Sequence, residues 1–133
     1  MPKSIKKGLY ICCIFTLCSC GGIDKGNFTD QQICIATIAK IMGKNPEIIK
    51  IDSIQDNVTH LSYIRASDRK HWAYRCKING DNAIWAASKG RWRTHEDDSR
   101  ITFAISESKI KISETFSDGS GSAELYRIDQ LND

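Results

Sequence analysis

His71-Trp72-Ala73-Tyr74-Arg75-Cys76-Lys77-Ile78 is the stretch on which the fold turns. Its hydropathy alternates with a period of two, the signature of a β-strand with one buried face. Trp72, Tyr74, Cys76 and Ile78 fall on the apolar side, and His71, Arg75 and Lys77 on the polar side. A strand that is dry on one face and wet on the other belongs to an antiparallel sheet, because parallel sheets are covered on both faces. Asn79-Gly80 follows directly and is a strong type I′ hairpin signal, with Asp81 and Asn82 as further turn residues that would lengthen it. Residues 83–87 then pair back.

The same period extends in both directions. Residues 49–54 read as a strand, Gln55-Asp56-Asn57 turns the chain, and residues 58–65 return. A polar loop, residues 66–70, leads into the central strand. Beyond the hairpin, residues 88–99 are polar and irregular around Arg91-Trp92-Arg93. Residues 100–106 and 109–116 form another hairpin, with Ile101, Phe103, Ile105, Ile110 and Ile112 facing inward. Ser117-Asp118-Gly119-Ser120-Gly121 is a turn, residues 122–128 are a last strand, and the tail from Asp129 is expected to fray.

Upstream of the strands the period changes to that of a helix. Thr29-Asp30-Gln31-Gln32 is a capping box, and Phe28 with Ile33 has the spacing of a hydrophobic staple. The helix is predicted to run to Met42 and to end at Gly43, in the left-handed position that glycine adopts at little cost. Cys34, Ile35, Ile38, Ile41 and Met42 share one face, as core in preference to a partner groove, since a helix of this length needs such packing to exist. Asn45-Pro46-Glu47 reads as a short capped turn. The expected fold is therefore α+β: one N-terminal helix packed on one face of a five- to seven-stranded antiparallel meander sheet.

The first residues carry a different kind of information. Lys3, Lys6 and Lys7 precede an apolar run, residues 9–17, and small residues follow. That order is a secretory signal, and the run is shorter than the ~20 residues a membrane-spanning helix needs. Leu17-Cys18-Ser19-Cys20 resembles the lipobox of small bacterial lipoproteins, with Cys18 where Ala, Ser or Thr is usual. The resemblance implies cleavage after Ser19, lipidation of Cys20 and attachment to a membrane through that lipid. Gly21, in place of a retaining Asp, favours the outer membrane. The domain plan is then residues 1–19 as signal, 20–27 as lipidated cysteine and Gly-rich tether, and 28–133 as a single domain.

Removing residues 1–19 from a chain of 133 leaves 114, one domain with room for a core. The formal charge of +3 comes from 19 basic and 16 acidic residues, and three of the basic ones are the signal lysines. The mature chain is thus close to neutral, which argues against nucleic acid as a partner. Of six cysteines, Cys12, Cys13 and Cys18 leave with the signal and Cys20 takes the lipid. Cys34 and Cys76 remain, either as a disulfide in an oxidising compartment or as two buried thiols. Bonded, they would tie the helix to the inward face of the central strand.

The inventory of reactive groups is thin. His95-Glu96-Asp97-Asp98 offers ligands for a hard cation but lacks the glycine and the spacing of a calcium loop, and a solvated turn accounts for it. No G-x-S-x-G elbow or other positioned nucleophile is present in the sequence. The expectation is a protein that is not an enzyme, with no metal, no cofactor and no small-molecule substrate. Trp85 with Arg91, Trp92 and Arg93 is the candidate partner-binding surface, since Trp and Arg anchor protein interfaces. Cation–π stacking within the sheet is the competing account of the same residues.

Two further resemblances bear on function. Tyr74-Arg75-Cys76, Ile84-Trp85, Gly90-Arg91-Trp92-Arg93-Thr94-His95 and Thr102-Phe103 are similar to segments of small uncharacterised proteobacterial proteins, which imply no activity. The loop before Tyr126, Ser117-Asp118-Gly119-Ser120-Gly121-Ser122, resembles the Ser/Gly-rich loop of periplasmic lysozyme inhibitors, whose all-β barrel lacks the helix predicted here. The resulting expectation is a lipid-anchored envelope lipoprotein that binds or inhibits an envelope or incoming protein. The alternatives are a structural accessory of an envelope assembly and an unrecognised hydrolase.

Overall fold

The computed structural model describes residues 25–132. The signal, Cys20 and residues 21–24 of the tether lie outside the described residues. The helix α1 spans Asp30–Met42. The strands are β1 Lys50–Gln55, β2 Val58–Ile64, β3 His71–Asn79, β4 Asn82–Ala87, β5 Arg100–Ser106, β6 Lys109–Thr115 and β7 Gly121–Arg127. They form one seven-stranded antiparallel sheet in sequence order, a simple meander. No described helix is long and apolar enough to cross a membrane.

α1 begins as its sequence dictates. The Thr29 hydroxyl accepts from the Gln32 amide at 3.1 Å, and the Gln32 side chain accepts from the Thr29 amide at 2.9 Å. Gly43 closes the helix at φ +64°, where a side chain would be strained. Every residue from Ile33 to Ala39 is buried, so α1 is covered on more than one side. The sheet covers it below. Phe28, Pro46 and Leu131 are buried too, and Leu131 shares a hollow with Ile35 and Ile51. Residues 129–132 therefore do not fray. A 3₁₀ turn, Ile128–Gln130, folds Leu131 to 1% exposure, and Gln32 donates to the Asn132 side chain at 3.2 Å. One large apolar residue removed from water near the chain end is enough to hold so short a tail.

The core lies between α1 and one face of the sheet. Leu61, Tyr74, Cys76, Phe103, Ile110 and Ile112 project into it from β2, β3, β5 and β6. Cys34 of α1 and Cys76 of β3 are disulfide-bonded, with Cα atoms 5.8 Å apart across 42 positions of sequence. The buried Thr37 hydroxyl donates to the Ile33 carbonyl at 2.8 Å. Lys40 secures the far end of α1, donating to the Ser122 hydroxyl at 2.8 Å and lying 3.7 Å from Glu114.

The turn of the central hairpin shifts from its expected place. The β3–β4 hairpin pairs Asn79 with Asn82, so the central turn residues are Gly80 and Asp81 rather than Asn79 and Gly80. Gly80 alone of the two has positive φ, +62°, as a type II′ turn requires of its first central residue. The turn chemistry allowed either frame, and the alternation of β4 selected this one: Ala83 lands inward and buried. At β1 the register slips between Ile51 and Ser53, a bulge on an edge strand.

Candidate recognition loop

β4 and β5 meet as a strand pair only at Asn82 and Thr102, and then diverge. Residues 88–99 fill the fork. The Arg93 amide donates to the Trp85 carbonyl at 2.9 Å, so the loop takes up hydrogen-bonding capacity that β5 leaves free on β4. From that edge it reaches both faces of the sheet. Trp92 lies on the face away from α1, against Arg75 and Lys77, whose cationic groups are 4.6 and 4.3 Å from its ring centre. Arg93 lies on the other side, its guanidinium 5.4 Å from the ring centre of Trp85. Trp85 in turn meets Tyr74, with ring centroids 6.1 Å apart.

Asp98 organises the loop. It accepts a two-pronged hydrogen bond from Arg91, at 2.7 and 3.1 Å, and a third from the His95 amide at 3.0 Å. Arg93 lies 3.7 Å from the same carboxylate. The Arg91 hydrogen bonds are the main reason that the Asp98 carboxyl is pulled down from 3.8 to about 2. It is an anion throughout the neutral range and positions its neighbours rather than exchanging protons. Arg75 supports the loop from beneath, donating to the Gly90 carbonyl and, at 3.4 Å, to that of Ala87.

The sequence-derived candidates are thus brought together in part. Arg91, Trp92 and Arg93 form one ordered segment, and the cation–π contacts named as the competing account are present. Trp85 belongs to the helix side of the sheet, where its indole nitrogen is buried without a hydrogen-bond partner among the described residues. The arginines remain open to solvent: the side chains of Arg91 and Arg93 are 58% and 42% exposed, against 12% for Asp98. The fork leaves a cleft of about 240 Å³ lined by Asn82, Ile84, Arg93, His95 and Arg100, among others. The His95 imidazole accepts from the Asp97 amide at 3.2 Å, and no cluster of three or more His, Cys, Asp or Glu suited to a metal occurs among the described residues.

Arg75, Lys77 and Asp98 are the residues that sequence reading missed. Arg75 and Lys77 were legible as the polar face of their strand, but nothing in the sequence said that a tryptophan would return to cover them. Asp98 looked like any acid of a polar turn. No protein-family model matches this chain, and neither does any curated protein or solved structure.

Proposed function

We propose that the chain is a lipid-anchored, non-catalytic binding module of the bacterial cell envelope, held on the outer membrane through Cys20 and facing the periplasm. It engages an envelope or incoming protein through residues 88–99. The observation that carries this reading is the pair of half-exposed guanidiniums gathered on one carboxylate. Both are held in place before any partner arrives. Ordering side chains in advance lowers the entropic cost of association, and arginine beside tryptophan is the composition of interface anchors. Arg91 already gives N–H donors to Asp98 and to the Trp92 carbonyl, and the donors that remain on the two groups suit carboxylates or backbone carbonyls of a protein surface. Lipidation of Cys20 is supported by the lipobox resemblance alone.

The test is capture from envelope extract by the full-length protein and by its Arg91→Ala and Trp92→Ala variants, each first shown to melt like the parent. Retention of one partner in near-equal amount, lost in both variants, is the expected result. Undiminished capture by both variants would remove the loop from the binding surface. The anchor is tested separately, by the mass of the mature N-terminal peptide.

A further inference from the structure

The strand residues on the sheet face opposite α1 carry charge of a single sign. Strand pairing puts every lysine and arginine of the seven strands on that face. Arg75 and Lys77 lie beneath Trp92. Lys50 and Arg100 pair with Ser62 and Thr115. Lys109, Lys111 and Arg127 run together across β6 and β7. The strand carboxylates are elsewhere: Glu114 and Glu124 oppose Ile101 and Ile112 on the helix side, and Asp52 stands at the β1 bulge. A face that needed only wetting could use acids as readily as bases, and this one uses bases.

At the β6–β7 end the cations surround an apolar residue. Leu125 is 65% exposed and stands directly opposite Lys111, with Lys109 opposite Arg127 beside them. The side chains of Lys109 and Lys111 have no hydrogen bond or ion pair among the described residues. Arg127 shares its Nε with Asp129 at 3.1 Å, and Glu107 lies in the adjoining turn. The chain enters the domain at this same end, since Gly26 and Asn27 line a hollow with Glu107 and Ser108. Six peptide links from Cys20 to Gly26 reach at most about 20 Å.

We infer that Lys109, Lys111, Leu125 and Arg127 rest on the anionic headgroups of a bilayer. The inference depends on the lipid-anchor reading for its geometry, because the tether would hold this end of the sheet at the membrane. Exposed lysines attract headgroup phosphate, and a leucine among them can enter the headgroup boundary, the combination used by proteins that lie on membranes. The patch would fix the domain's orientation on the membrane.

The experiment is co-sedimentation of the oxidised chain without its signal and Cys20, residues 21–133, which holds every described element and the disulfide. Vesicles of phosphatidylglycerol with phosphatidylcholine are compared with phosphatidylcholine alone. Binding is expected only to the former and should weaken as salt rises. Each Lys→Gln change at 109 and 111 should weaken it about fivefold, and Leu125→Ser should weaken it with the salt dependence unchanged. Equal binding to both vesicle types, or no loss in the double lysine variant, overturns the inference. So does capture of an acidic soluble protein that the double variant loses while vesicle binding persists. The two readings fail separately: vesicle binding with an unlipidated Cys20 refutes the anchor and keeps the patch, whereas a lipidated Cys20 without vesicle binding refutes the patch.

Discussion

The two faces of the sheet alternate along the same seven strands, yet they are held by different physics. The helix-covered face is closed by burial and one covalent bond. Its buried side chains are mostly isoleucine, leucine, tyrosine and phenylalanine, and Ile110 and Ile112 are fully removed from water. The open face is organised by charges lying on aromatic rings and on one another: Trp92 on Arg75 and Lys77, Arg91 on Asp98. Burial stabilises in proportion to area, whereas exposed ion pairs are worth little in water. The first face should therefore carry the stability of the fold, and the second should be free to serve recognition.

The largest expected effect breaks the covalent part of the closed face. Changing Cys34 and Cys76 together to serine releases a loop of 42 positions. In the chain-entropy model this destabilises the domain by about 4 kcal/mol. Urea unfolding of the oxidised parent and the double variant measures it. A difference under about 1 kcal/mol would mean that packing alone holds α1 to β3.

Next comes the apolar part. Ile112→Ala removes a fully buried side chain and should cost about 2–5 kcal/mol. Ile64→Ala, on the open face and 53% exposed, should stay within about 0.5 kcal/mol. Similar losses at both sites would show that the open face is covered in solution. Thr29→Ala is smaller. It removes the hydroxyl that caps α1, and the same urea titration should register about 1 kcal/mol.

How far each face could be read from the sequence follows from the same contrast. Hydrophobic alternation is a local signal, so the strands, the helix, its caps and the inward cysteines were legible one segment at a time. The hairpin frame was not, because Asn79, Gly80, Asp81 and Asn82 are all turn formers and the choice depended on which side Ala83 had to face. Leu131 gives no such signal, because one apolar residue near a terminus has no period. The hollow that it lines with Ile35 and Ile51 exists only once helix and sheet are packed. The loop was half legible. Arg91, Trp92 and Arg93 stood out by type, but their partners lie on two strands and at the loop's far end. A strand gives the direction of Arg75 and Lys77, not what returns to cover them.

The smallest effect probes the open face directly. The Asp98 carboxyl is held down at about 2 instead of 3.8, chiefly by the Arg91 hydrogen bonds. A depressed carboxyl contributes its stabilisation in full above its ordinary value and loses it as the pH falls through the folded value. The loop should therefore keep its order down to about pH 4 and loosen between there and about pH 2. The His95 amide, which donates to Asp98, reports this as a chemical shift in a pH titration by NMR. Arg91→Ala should move its midpoint up toward 3.8. The Lys70 amide supplies the control: it donates to Asp68, which is held at about 2 chiefly by Arg65 and should not respond to Arg91. A parent midpoint already near 3.8 at His95 would mean that Arg91 swings free of Asp98 in solution. The loop would then lose the preorganisation on which its role as a recognition surface depends, while the helix-covered face would be unaffected.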